Sequence, residues 1–269
     1  MLKPNQHYQV TPFPKLRRLM EDGGWLGRQK HLVHGFYEMD VTEARQQIRE
    51  HRAKTGEGIS FIAFFMACLG RAVEQDKSMQ AYRTWSEKLV IFDDVDVNTM
   101  FEVEEDGQKV IRPHIIRAVN TKSMLAIHAE IRAFQANHAT SQEGRFIGWF
   151  VWLPGFVRRL FLRILFKNPH WLKAMNGTVA LTSVGMFGTG GGWGIPVSNH
   201  TLQITLGGIT KRPALHNGQV ENRHYLCVTI SFDHDVVDGA PAARFAHGLK
   251  KLIEGKAALD ELAGPAAGQ

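Results

Sequence analysis

The sequence predicts a mixed α/β protein, a sheet of strands with helices packed on it, from three observations. The chain has 269 residues, 44% of them hydrophobic, enough for one large core or two small ones. Its 22% of charged residues is ordinary for a globular protein and argues against disorder. Helix-period and strand-period stretches alternate irregularly, which excludes a strict βαβ repeat, and no internal repeat is visible.

"VTEARQQIREHRAKTG" reads as a polar-faced helix with Thr42 as N-cap and Gly56 as its stop. "SFIAFFMACLGRAVEQD" is apolar almost all round from Ser60, which predicts a buried helix. "LVIFDDVDVNTMFEVEEDGQKVIRPHIIRAV" predicts two or three strands turning at Asp106-Gly107. "KSMLAIHAEIRAFQ" returns to helical period. "GTVALTSVGMFG", "HTLQITLGGI" and "RHYLCVTISF" read as strands, and "GAPAARFAHGLKKLIEGK" as a closing helix before a flexible tail, 256–269. "GMFGTGGGWG" lacks the Gly-Lys-Ser/Thr of a P-loop and fails the dinucleotide pattern at Trp193 and Ile195; it reads as a strand-to-strand connection.

The net charge of +6 is uneven. Between Glu143 and Glu221 there is no acidic residue, while Arg145, Arg158, Arg159, Arg163, Lys167, Lys173, Lys211 and Arg212 fall there. Either this is a solvated basic face or a surface for an anionic partner: a phosphorylated cofactor, a lipid headgroup or, weakest, nucleic acid. No aromatic-basic interleaving, helix-turn-helix or zinc-knuckle spacing is present, so no nucleic-acid partner is expected. Cys68 and Cys227 form no CxxC pair and read as reduced, buried thiols. The N-terminus "MLKPNQHYQVTPFPKLRR" has no apolar signal-peptide core, so a cytoplasmic location is expected.

In the apolar segment 146–166, three arginines and Pro154 argue against a membrane span. A helix begun near Pro154 puts Arg158, Arg159 and Arg163 on one side, with Val157, Leu160, Phe161, Ile164 and Leu165 on the other. Two readings stand: a core or subunit-interface helix with snorkelling arginines, or a helix lying on a membrane surface.

"SFDHDVVDGAPAARF" packs Asp233, His234, Asp235 and Asp238 where a strand hands over to a helix. Buried strand ends avoid charge unless it is paired, so this is a solvated turn or a site. The stretch resembles the His-x-x-x-Asp-Gly motif of the 2-oxoacid dehydrogenase acyltransferases and chloramphenicol acetyltransferase. "GTVALTSVGMFG" is similar to that family's Ser-Asn-Leu-Gly-Met-Phe-Gly strand. "RPHIIRAVNTKSMLAI" and "ISFIAFFMACLGRAV" look like two further pieces, in the same order, across about 34–255.

The resemblance implies a chloramphenicol-acetyltransferase-like mixed sheet flanked by helices and a homotrimer, possible to extend into a higher assembly. The catalytic domain is expected over 34–255, with an apolar basic insertion at about 138–176, after an N-terminal segment 1–33. It implies a coenzyme A-dependent acyltransferase acting on a thiol or hydroxyl acceptor. Histidine suits the general base, since its ordinary pKa lies near neutrality. His234 takes that role, Thr182 stands where the family has an oxyanion-binding serine, and Asp238 positions the loop by pairing with Arg17 or Arg18. Gly239 is expected to permit close strand-to-helix approach. Coenzyme A, or acyl-coenzyme A as substrate, is expected along Ser60, Gln135, Thr182, Ser183, Met186, Gly207 and Ile209.

The chain departs from the family at Asp235, where an arginine is common, and in its long insertion. No lipoyl domain or covalently bound lipoyl group is expected in this chain, and no metal, so the acceptor comes from elsewhere, such as a lipoyl or acyl carrier protein. The insertion points to an acyl group more apolar than acetyl, or to membrane-surface contact through 146–166 that would make the protein peripheral. The competing function is a catalytically idle trimeric scaffold or membrane-docking protein that keeps the acyltransferase fold.

Overall fold

The computed structural model describes residues 8–14, 17–105, 107–137, 150–185, 190–256 and 259. Its elements run α1 (Arg17–Gly27), β1 (Leu32–Asp40), α2 (Thr42–Thr55), α3 (Phe61–Gln75), β2 (Tyr82–Arg83), β3 (Leu89–Val90), β4 (Val97–Glu105) and β5 (Gln108–Ile116). There follow α4 (Met124–Asn137), α5 (Gly155–Phe166), α6 (Pro169–Asn176), β6 (Val179–Ser183), β7 (Leu202–His216), β8 (Gln219–Asp233) and α7 (Gly239–Glu254). The main sheet has six strands in the order β1-β8-β7-β6-β4-β5. Short β6 pairs parallel with both neighbours, β4 and β7, and the other pairs are antiparallel. The mixed sheet flanked by helices expected from the sequence is present.

The core follows from α3. Ala63, Phe64, Phe65, Met66, Cys68 and Leu69 are all fully buried, and α3 packs against α4 and α7. Alternation along the central strands turns Leu181, Leu202, Ile204, Leu206, Val228 and Ile230 into this core. Each such side chain contributes about 1.5–3 kcal/mol. The opposite face is polar and also buried: Gln203, Thr205, Thr229 and Ser231 point into it. The glycine-rich connection lies against this face. A Cβ at Gly207 would stand 1.9 Å from the Gly192 carbonyl oxygen, so backbone packs directly on backbone there.

Two local readings are corrected. Thr42 does not cap α2; Val41 holds the N-cap position, and Thr42 donates from its N–H (2.9 Å) and its hydroxyl (2.6 Å) to Asp40. Gly56 ends α2 as expected, with φ of 77°. β7 and β8 run well beyond the predicted strands and meet at Asn217-Gly218, both at positive φ, as a two-residue primed turn requires.

His200 carries a pH prediction. The ring is buried, and burial outweighs the 2.8 Å hydrogen bond from Nε2–H to the Asn176 carbonyl, which favours the charged form, so the pKa falls from 6.5 to about 4. Below pH 6.5 the unfolded chain takes up a proton that the folded one refuses. Stability is therefore whole above 6.5 and falls as pH drops towards 4, by on the order of 3 kcal/mol from this group. Urea midpoints measured across that window should fall more steeply for the wild type than for His200→Gln; parallel curves would contradict the assignment.

Candidate active site

β8 ends at Asp233, and His234 begins the turn that leads to α7. The turn is fixed from both sides. The His234 N–H donates to the His31 carbonyl at 2.9 Å, and the Asp233 N–H donates to the Thr201 carbonyl at 2.9 Å. The Asp233 carboxylate is buried, 4% exposed, and accepts from the Lys30 ammonium. Its carbonyl accepts the N–H groups of Val236 and Val237, both at 3.0 Å. Beside it, His31 Nδ1 and Asp235 Oδ1 lie 2.8 Å apart; hydrogen bonding and charge raise the His31 pKa and lower that of Asp235. His234 itself stands exposed at the tip.

The turn-holding acid is therefore Asp233, and the expected Asp238–arginine pair is corrected. Asp238 is exposed at the N-cap of α7 and forms no ion pair among the described residues. Arg17 and Arg18 are exposed too, and the acid that α1 buries is Asp22, which binds Arg158 at 2.6 Å and Arg159 at 3.2 Å. Gly239 is also corrected: a Cβ there would meet nothing within 4 Å, so no close approach requires it.

A cleft of about 540 Å³ opens on the other side of the sheet's centre. β4 pairs with β6 only as far as Thr99↔Leu181 and then parts from it. The opening is lined by Ser60 at the start of α3, by Met100 and Glu102 of β4, by Lys109 of β5 and by Arg132 and Gln135 of α4. Two expected coenzyme-binding residues, Ser60 and Gln135, thus meet in one cleft. The Ser60 N–H donates to His128 Nδ1 at 3.1 Å, and burial followed by the Arg132 charge lowers the His128 pKa, keeping it an acceptor. Lys109 pairs with Glu102 at 2.7 Å, which leaves Arg132 as the cleft's cation without a carboxylate among the described residues. A volume of this size suits a small-molecule or cofactor segment.

Thr182 lies on β6 one residue past the last β4 pairing, where the two strands part, outside the lining of this cleft. It is half-buried and in register with Thr205, which is in register with Thr229. The hydroxyls of Thr205 and Thr229 are buried without a protein partner among the described residues. Ser183 follows on the other face of β6. Gly207 and Ile209 do not line the cleft: Gly207 is packed on Gly192, and Ile209 follows the irregularity at which β7 shifts its register with β8. Met186 lies outside the described residues.

Thr182 and His234 are far apart. Thr229, two strands from Thr182, precedes the end of β8 by four residues, roughly 13 Å of strand, and His234 lies beyond it. Within one copy the two cannot act on the same atom. The sequence also gave no sign of Lys30, His31, Lys109, Arg132 or His128, which only the fold brings to these places.

The whole fold is similar to solved structures of acyltransferase catalytic cores. It matches a probable dihydrolipoamide acetyltransferase from Listeria monocytogenes with a TM-score of 0.68 at 16% identity, over 97% of this chain and 98% of that one. It matches the dihydrolipoamide acetyltransferase of Azotobacter vinelandii with a TM-score of 0.69 at 19% identity, over 94% of each chain. At these identities the likeness shows the fold. Residues 172–260, about a third of the chain and including the His234 turn, match the family model of the 2-oxoacid dehydrogenases acyltransferase (catalytic domain). A dihydrolipoyllysine-residue succinyltransferase component of the 2-oxoglutarate dehydrogenase complex from Saccharomyces cerevisiae is 35% identical over 78 residues, 29% of this chain and 17% of that protein. The corresponding protein of Staphylococcus aureus is 32% identical over 81 residues, 30% of this chain and 19% of that protein. The chain thus spans under a fifth of the length of these relatives in the matched region.

Proposed function

We propose that the protein is a coenzyme A-dependent acyltransferase whose site forms between copies, with His234 of one protomer facing the Ser60–Gln135 cleft and Thr182 of the next. The observation that carries this reading is the turn itself. Exposed His234, beside the exposed His31, sits in a turn fixed by Lys30–Asp233 and by its own N–H to the His31 carbonyl, inside the stretch that matches an acyltransferase catalytic domain. The distance from His234 to Thr182 within one copy supports a site shared by neighbours in a cyclic assembly, most simply a trimer.

The chemistry is acyl transfer between thiols. His234 takes the proton of the acceptor S–H as the sulfur attacks the thioester carbon. The carbonyl oxygen becomes an oxyanion, to which the Thr182 hydroxyl donates. Collapse breaks the bond to the coenzyme A sulfur, which recovers the proton from the imidazolium. Coenzyme A enters by the 540 Å³ cleft, where Arg132 meets its negative charge. The Azotobacter protein has been studied for the catalytic roles of a serine, a histidine and an asparagine, the last two four residues apart. Thr182, His234 and Asp238 are the counterparts at the matching motif positions. Asp238, exposed at a helix N-cap, then acts on the acceptor side or on the neighbouring copy rather than as a buried brace.

The acceptor is a dithiol of the dihydrolipoyl type, carried on another protein or another part of the complete chain. The acyl group is more apolar than acetyl: an apolar groove of about 250 Å³, lined by Phe150, Phe161, Leu165 and Met175, adjoins the cleft beneath the His234 turn. Acyl-coenzyme A donors of increasing chain length, assayed with dihydrolipoamide, test this directly. Longer chains should gain in kcat/KM, and Phe161→Ser should remove the gain. Thr182→Val should cost about 10²–10³ in kcat with KM little changed, as loss of one oxyanion donor does. If no donor reacts, the protein is the idle scaffold that the sequence also allows.

A further inference from the structure

Helix α5 buries an arginine and leaves an apolar stripe in the open. Phe156, Leu160 and Ile164, one turn apart, are 75%, 59% and 54% exposed. On the next helix Trp171 and Met175, again one turn apart, are 56% and 54% exposed. Arg158 meanwhile points inward at 4% exposure, bound to Asp22 and, at 2.6 Å, to the Leu153 carbonyl. The sequence groups Arg158 with Arg159 and Arg163 on one side of the helix and Leu160 and Ile164 with Leu165 on the other; the structure instead buries Arg158 and Leu165 and exposes Leu160 and Ile164. Burying an ion pair carries a desolvation cost, so the orientation is held by a specific contact rather than by default.

The flank of the apolar stripe is positive. Arg159, Arg163 and Lys167 follow one another at the same spacing. Asp22 is shared between Arg158 and Arg159. Asp233 and Asp235, which line a cleft with Arg163 and Lys167, are already matched to Lys30 and His31. A second copy docking this face on itself by a two-fold would set these cations against themselves, and a ring would have to bring a different, acidic face to them. An apolar stripe with tryptophan and a row of cations instead fits the interface of an anionic bilayer. Among the described residues no helix is long and apolar enough to cross a membrane, so contact is with the surface.

We propose that α5 and α6 form a docking face for an anionic lipid surface. This does not depend on the catalytic reading, since it is read out by binding alone. Flotation of the intact protein with phosphatidylcholine vesicles, with and without phosphatidylglycerol, tests it. Association is expected only with the anionic vesicles and should weaken as salt is added. Arg163→Gln with Lys167→Gln should weaken it roughly thirtyfold, and Leu160→Ser with Ile164→Ser should abolish it, with molar mass by light scattering unchanged. The proposal is overturned if the wild type does not float with anionic vesicles at low salt, or if both variants float as it does. It is equally overturned if the Leu160→Ser, Ile164→Ser variant loses molar mass without vesicles, which would make the stripe a subunit interface.

Discussion

His234→Ala should leave a folded protein that has lost acyl transfer to a thiol acceptor by about 10²–10⁴ in kcat, or more where the imidazole also positions the sulfur. The fold should survive because the residues that fix the turn are others: Lys30, Asp233, Thr201 and the backbone of His31. His234 is exposed and contributes only its backbone N–H to that scaffold, which alanine keeps. The check is a steady-state assay beside a thermal melt of the same preparation. Turnover close to wild type with an unchanged melt would remove the histidine from the mechanism. Asp233→Ala should behave differently, losing stability and activity together, because it leaves Lys30 without its partner.

The second large effect concerns stability. Asp22 is fully buried and holds the Arg158 guanidinium, itself 4% exposed. Asp22→Ala strands that charge and should cost about 3–5 kcal/mol by urea denaturation. Replacing both partners, Asp22→Leu with Arg158→Met, should recover most of the loss, since neither buried charge then remains. A cost below about 1 kcal/mol for the single change would mean that water reaches the pair, as at an exposed bridge.

These two sites also mark what a sequence can and cannot reveal. The buried character of α3, the stop at Gly56 and the start of the last helix after Asp238 depend on local pattern, and pattern is legible. The facing of α5 was not, because it is decided by Asp22, 136 residues away in sequence, and hydrophobic periodicity carries no record of a distant ion pair. Asp238 looked like the loop's anchor because it carries the motif. The anchor is Asp233, chosen by the position of Lys30 at the head of β1. The length of the β7–β8 hairpin is legible too, since Asn217-Gly218 is a strong turn signal. Ser60 and Gln135 came from resemblance, and the fold brings both to one cleft; Lys109, Arg132 and His128 arrive there only through tertiary packing.

The account rests on a site completed by a neighbouring copy, and complementation measures that directly. His234→Ala and Thr182→Val proteins, each feeble alone, are unfolded together in equal amounts, refolded and assayed. Random mixing in a ring places an intact histidine against an intact threonine at about one interface in four, so about a quarter of wild-type activity should return. A mixture no more active than its parents would contradict the shared site and leave His234 and Thr182 without a common reaction.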